Sequence, residues 1–187
     1  MSYQPTLNPQ PVTGPLTNSE MRASDVGVLV NNSSPIETRE VEHQEVHEGE
    51  MFSFTEDLVS LGTGGAIYKI VPASKQVHII MRLVSAGKCR IHLHENPTTS
   101  ANGTAQALVN RNRDSANVTG ISVFKGPTVS ANGTLLMTDL VGSSGTAGGG
   151  SRGAVEWILK PGDTYLLRVV PAQGTTDTLI DLNWYEH

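Results

Sequence analysis

The sequence predicts an all-β protein: an antiparallel sandwich or barrel over residues 41–187, preceded by an extended arm over residues 1–40. Three observations carry this. Short apolar-alternating segments recur at regular spacing between Gly, Pro and Asn turns, and none of them holds a convincing helical period. The composition, with 19 glycines, 17% charged residues and frequent Thr, Ser and Val, suits strands and turns better than helices. Prolines gather ahead of the alternation, at Pro5, Pro9, Pro11, Pro15 and Pro35.

Proline lacks a donor and fixes φ, so residues 1–40 are expected to be extended, with few ladder hydrogen bonds. A solvated linker is one reading of such a segment. The other is an arm that orders on a partner's surface through Leu7, Val12, Leu16, Met21 and the run Val26-Gly27-Val28-Leu29-Val30. A purely solvated linker has no use for that apolar run, which favours an arm with Val26, Val28, Leu29 and Val30 among its anchors.

From Glu37 to Asp57 eight acidic residues face one Arg39. Val41–His47 reads as an edge strand there, its charges discouraging strand addition by a stray chain. Met51-Phe52-Ser53-Phe54 enters the core with both phenylalanines on one face. Gly62-Thr63-Gly64-Gly65 is a turn, and Ala66–Val71 is a strand stopped by Pro72. Gln76–Val84 is almost continuously apolar, as for a strand covered on both faces, with His78 packed or hydrogen-bonded. Lys88–Glu95 alternates strictly. Further strands are expected at Asn117–Phe124, Thr134–Leu140, Val155–Leu159, Tyr165–Val170 and Thr178–Tyr185, with a glycine-rich loop from Gly142 to Gly153. Ser-Ala-Asn-Gly-Thr occurs at Ser100 and again at Ser130, and Asn-Gly suits the left-handed residues of hairpin turns.

Several strings invite a chemical reading. On the Lys88–Glu95 strand, period two places Arg90, His92 and His94 on one face and Cys89, Ile91 and Leu93 on the other. A metal site needs three or four ligands, and Arg90 would repel a cation. A cupin, with His-X-His, a spaced Glu and a later His, is the nearest metal-enzyme pattern. Here Glu95 follows at once, and Tyr165 stands where the later His belongs. Gly149-Gly150-Ser151-Arg152-Gly153 matches the nucleophile-elbow string without its strand-to-helix context. Cys89 faces away from the histidines, so no Cys–His pair is expected. The sequence therefore reads as non-enzymatic, with no catalytic, cofactor or metal residues assigned. Asn110, Arg111, Asn112 and Arg113 form the densest polar run, expected to tie their loop to neighbouring carbonyls and carboxylates within the domain or across a subunit interface.

A chain of 187 residues is one domain, or one domain and a tail. The net charge of −5 gives no reason to expect nucleic acid, and no basic amphipathic stretch suggests a membrane. Cys89 is the only cysteine, which excludes an intrachain disulfide. The first residues lack the charged and apolar regions of a secretory signal, so synthesis in a cytosol is expected.

Taken in order, His47-Glu48-Gly49-Glu50-Met51-Phe52, Asn110-Arg111-Asn112-Arg113, Phe124-X-X-Pro127-Thr128 with Gly133-Thr134-Leu135-Leu136, and Glu156-Trp157-Ile158-Leu159 with Thr164-Tyr165-Leu166 resemble the capsid decoration (cement) proteins of tailed bacteriophages. Leu16–Ser24 is similar to an N-terminal linker of phage virion proteins. The resemblance implies a jelly-roll body, a homotrimer, the major capsid protein as partner and a place on the outer surface of the virion. A tail fibre or host-receptor-binding virion protein, displaying the Gly142–Gly153 loop, is the alternative expectation. A degenerate cupin is the remote one.

Overall fold

The computed structural model of the chain describes residues 41–142, 150–151 and 155–187. The expected arm anchors Leu7, Val12, Leu16, Met21, Val26, Val28, Leu29 and Val30 lie outside the described residues, as does most of the Gly142–Gly153 loop.

A short helix α1 (Val41–Glu48) leads into β1 (Met51–Leu61), β2 (Ala66–Pro72), β3 (Val77–Ser85) and β4 (Cys89–Glu95). Five shorter strands follow: β5 (Thr98–Ala101), β6 (Thr104–Ala105), β7 (Val109–Asn110), β8 (Ile121–Lys125) and β9 (Thr128–Ala131). The chain then forms β10 (Thr134–Val141), β11 (Gly150–Ser151), β12 (Val155–Leu159), β13 (Tyr165–Pro171) and β14 (Thr176–Glu186). One sheet runs β11-β3-β14-β1-β7, with β12 also on β3, and the other runs β10-β4-β13-β2-β8-β6. The fold is the expected all-β, jelly-roll-like antiparallel sandwich.

Alternate residues of both sheets meet between them. Phe52, Phe54, Ile79, Met81, Leu83, Ile180, Leu182 and Trp184 from the first sheet pack with Tyr68, Ile70, Ile91, Leu93, Leu167 and Val169 from the second. Period two therefore reads directly into burial on β2, and on β4 as far as Leu93, while His94 is buried on the outward face. On β3 it corrects an expectation. Only the face bearing Val77, Ile79, Met81 and Leu83 is fully buried, while Arg82 on the other face is exposed.

Val41–His47 is helical, not an edge strand. Glu and Gln favour helix over strand, Gln44 reaches Glu48 one turn on (2.8 Å), and the ring nitrogens of His43 and His47 meet at 3.1 Å. Gly49, at φ +76°, stops the helix. Its N–H reaches the Val46 carbonyl and the Glu50 N–H reaches the Glu45 carbonyl, the paired bonds of a Schellman cap. The strand expected from Asn117 begins only at Ile121, because Asn117, Thr119 and Gly120 direct their polar groups to other elements.

The two Asn-Gly pairs are not hairpin turns. β5 pairs with β9 in a separate two-stranded ribbon, while β6 pairs with β8 and β10 with β4. β5 must carry the chain from the end of β4 to β6, at the far edge of the same sheet, and β9 must return it from β8 to β10. The ribbon consequently crosses the outer face of the second sheet, where Leu166, pointing away from the sandwich core, is fully buried. The repeat is longer than the pentapeptide: Pro97-Thr98 and Pro127-Thr128 precede it at the same spacing. Gly103 lies against the Lys125–Gly126 peptide and Gly133 against the Glu95–Asn96 peptide, so the two corners are related by a local two-fold.

Candidate functional site

Helix α1 opens the described part of the chain, and the residues that hold it come from elsewhere in the fold. Its C-terminal carbonyls have no partners within the helix and require donors from elsewhere. The cap at Gly49 serves Glu45 and Val46, and the segment 110–117 serves His47, Glu48 and the capping glycine. Asn112 donates through its side-chain amide to the His47 carbonyl (3.1 Å), and Asn110 donates to the Gly49 carbonyl (2.8 Å). The Asn117 amide spans the Glu48 and Gly49 carbonyls and Glu50 Oε1 at 3.3–3.5 Å. The loop is itself folded by its side chains, since Asn112 N–H donates to Asn110 Oδ1 (2.8 Å) and Asp114 N–H to Asn112 Oδ1 (3.1 Å). Arg111 donates its backbone N–H to the Met51 carbonyl (2.9 Å), while Arg113 Nη1 makes only a long contact to Asn110 O (3.4 Å). Both arginine side chains are exposed. Within the polar run, the asparagines do the tying expected of the whole group.

Beside the helix, the end of β14 gathers titratable groups from three strands. Tyr185 stacks on His78, with ring centroids 4.6 Å apart. Glu156 Oε1 accepts from Tyr185 Oη (2.6 Å) and from His78 Nδ1 (2.8 Å). His187 packs edge-on against both rings, and its Nε2 stands 3.7 Å from Glu45 Oε1. The expectation for His78, packed and hydrogen-bonded, holds. Burial and the adjacent carboxylate push the Tyr185 phenol up to about 12. The Tyr185 hydroxyl and then His78 hold the Glu156 carboxyl below its usual range. A carboxyl depressed on folding contributes stability above its unfolded value, and that contribution is lost as pH falls through the folded one. The acid limb of the melting-temperature profile, below about pH 4.5, should therefore flatten in Glu156→Gln relative to the parent protein. Superimposable acid limbs would exclude this role.

On β4, His92 and His94 share the outward face with Arg90, as the alternation predicts, and Cys89 faces inward. Cys89 is fully buried, 3.3 Å from Ser85 Oγ and 3.4 Å from Thr178 Oγ1. It meets neither histidine. Register adds a neighbour that the sequence did not suggest: Arg168 of β13 is directly opposite His92. Burial first, then Arg168 and Arg90, lower the His92 pKa, and His94 is lowered by burial, His92 and Arg168. Such a field opposes a cation. Among the described residues, no group of three or more His, Cys, Asp or Glu is placed to hold a metal ion. Tyr165, at the cupin histidine's place, is instead buried, with its hydroxyl 3.2 Å from Glu95 Oε1.

One buried cluster went unnoticed in the sequence. Glu186, 2% exposed, accepts from the Gly120 N–H (2.7 Å to Oε2), Trp184 Nε1 (3.0 Å to Oε1) and the Thr119 hydroxyl. It joins the last strand of one sheet to the start of β8 in the other. Glu186 carries no local signal of burial, because two of its three donors, the Thr119 hydroxyl and the Gly120 N–H, come from 67 and 66 residues away.

No family model matches this chain, and neither a curated protein nor a solved structure does.

Proposed function

We propose that this protein is a non-enzymatic capsid decoration (cement) protein of a tailed bacteriophage. In this reading, residues 1–40 grip neighbouring major capsid subunits on the outside of the head. The observation that carries the proposal is the rooting of α1. An arm that grips a partner transmits any pull to the element that it leads into, and that element must be fixed to the body. Here the first helix of the body is capped at Gly49 and held through its terminal carbonyls by Asn110, Asn112 and Asn117. The resemblance of the ordered motifs supports the same reading, as does the apolar run Val26–Val30 within the arm. Assembly as a homotrimer would multiply weak arm contacts into avidity.

Deleting residues 1–40 should lower binding to undecorated heads by about a hundredfold or more, as expected when the tethered contacts of a multivalent binder are removed. The far-ultraviolet circular dichroism of the body should keep its β signature. Sedimentation of heads with labelled protein measures the first quantity. Equal binding with and without the arm would overturn the proposal.

A further inference from the structure

The outer face of the second sheet carries a concentration of positive charge that the fold does not require. By register it presents Arg90, His92 and His94 from β4, Arg168 from β13 and Lys69 from β2, with Thr138 and Leu140 from β10. Among the described residues no acidic side chain shares this face, although the chain as a whole carries −5. The carboxylates of β4 and β10 alternate away from it. Asp139 is opposite the inward-facing Ile91, and Glu95, at the end of β4, is engaged by Lys160 Nζ (3.0 Å) and Tyr165. The crossing ribbon brings amides and hydroxyls to the face, not charges. Asn132 Oδ1 accepts from Arg168 Nη1 (2.6 Å), and Thr99 and Asn102 accept from Lys69 Nζ (2.8 Å each).

The local two-fold supplies an internal control. The repeat that superposes residues 95–104 on 125–134 sets Arg90, His92 and His94 against Gly120, Ser122 and Phe124. Glu95 pairs with Tyr165 as Lys125 pairs with Tyr68, which sets Arg168 against Val71. The same frame is thus built on its other half without a single charge at these positions. Packing alone does not call for the cluster.

His94 provides the second observation. It is 8% exposed, and its Nδ1 is buried with no hydrogen-bond partner. His92 Nδ1 is 3.1 Å from the Thr138 hydroxyl, and the two imidazole centroids are 6.1 Å apart. A buried imidazole nitrogen without a partner is destabilising. Protonated, it becomes a donor that a bound anion can satisfy. Arg90 is exposed and Arg168 half-buried, so the cluster opens to solvent beside the ribbon corner.

We propose that Arg90, His92, His94 and Arg168, with the Thr138 hydroxyl, form a binding site for an oxyanion, a carboxylate or a phosphate-type group. The guanidinium of Arg168 offers a planar donor set beyond its bond to Asn132, and such charge-assisted bonds are the strong ones. The bound anion raises the affinity of both histidines for protons; in its absence burial, Arg168 and Arg90 lower that of His92, and burial, His92 and Arg168 lower that of His94 against the opposing effect of the Gly133 backbone. Binding therefore takes up protons and strengthens as pH falls. The site is independent of the arm and stands whether or not the arm binds a capsid.

Calorimetric titration of the full chain with sulfate, and separately with formate, tests this. Both anions keep their charge between about pH 5.5 and pH 7.5, so any pH dependence belongs to the protein, within the range where histidines change charge. At least one anion should bind, about tenfold more tightly at the lower pH. Arg168→Gln and Arg90→Gln should each weaken it by about tenfold or more, while Arg82→Gln on the opposite sheet leaves it unchanged. Arg90 is exposed, so its variant keeps the test decisive if loss of the Arg168–Asn132 bond disturbs the fold. Binding of sulfate alone assigns a phosphate-type ligand, and binding of formate alone a carboxylate. Histidine-selective 15N NMR should show His94 Nδ1 gaining a proton as the anion is added. Absence of binding by both anions, affinity equal in the two arginine variants and the parent, or binding indifferent to pH would overturn the proposal.

Discussion

Replacing Glu186 with alanine should destabilise the body by about 3 kcal/mol, the scale expected when a buried charged acceptor is removed and its donors lose their partner. The carboxylate receives the Gly120 N–H, the Trp184 indole N–H and the Thr119 hydroxyl, and all of these sit where water does not reach Glu186. Without it the Gly120 N–H loses its acceptor, while Trp184 keeps a bond to Thr119 Oγ1 (3.0 Å). The effect reaches beyond one contact. Thr119 and Gly120 deliver the chain into β8 of one sheet, while Glu186 ends β14 of the other. For a domain of this size the melting temperature should fall by about 6–12 °C. Glu186→Gln should cost less, because one amide oxygen remains to accept. Urea denaturation measures both. An alanine variant within about 1 kcal/mol of the parent would show that the cluster is incidental, given the usual spread of surface substitutions.

Gly133→Ala should cost about 2–4 kcal/mol, combining left-handed strain with a steric collision. Its φ is +79°, and a Cβ there would collide with the Glu95 carbonyl oxygen and stand 2.6 Å from that of Asn96. Neither atom can swing aside, because both belong to the backbone that turns β4 into the ribbon. By the local two-fold, Gly103→Ala should behave alike: its φ is +87°, its Cβ would collide with the Lys125 carbonyl oxygen, and Gly126 O would lie 2.8 Å away. Gly126→Ala separates the two causes. Its φ is +69° with no atom within 4 Å of an added Cβ, so only the strain, about 1 kcal/mol, should appear. Thermal denaturation of the three variants checks the order. Equal losses in all of them would remove the collision from the account.

Helix α1 shows why one expectation failed. The acids between Glu37 and Asp57 fit a protected strand edge as well as a solvated helix face, and composition does not choose between them. Gly49 ends the helix in the left-handed region, and the Asn110 and Asn112 amides, brought there by the tertiary fold, take the Gly49 and His47 carbonyls. In the same way the Ser-Ala-Asn-Gly-Thr repeat correctly signalled left-handed glycines, but its partners lie across a sheet and made corners of what the local pattern reads as hairpin turns.

What the sequence by itself determined is what depends on neighbours along the chain. The alternation of Cys89, Ile91 and Leu93 against Arg90, His92 and His94 fixed which face of β4 turns to the sandwich core, since period two is a property of the extended backbone. The same holds for Phe52 and Phe54, and for the all-β class as a whole. The tertiary structure alone decided which strands pair, that Glu186 closes onto Gly120, and that Arg168 comes to rest opposite His92. Those contacts join residues whose separation along the chain leaves no periodic trace, so only the packing of the two sheets and the crossing ribbon brings them together.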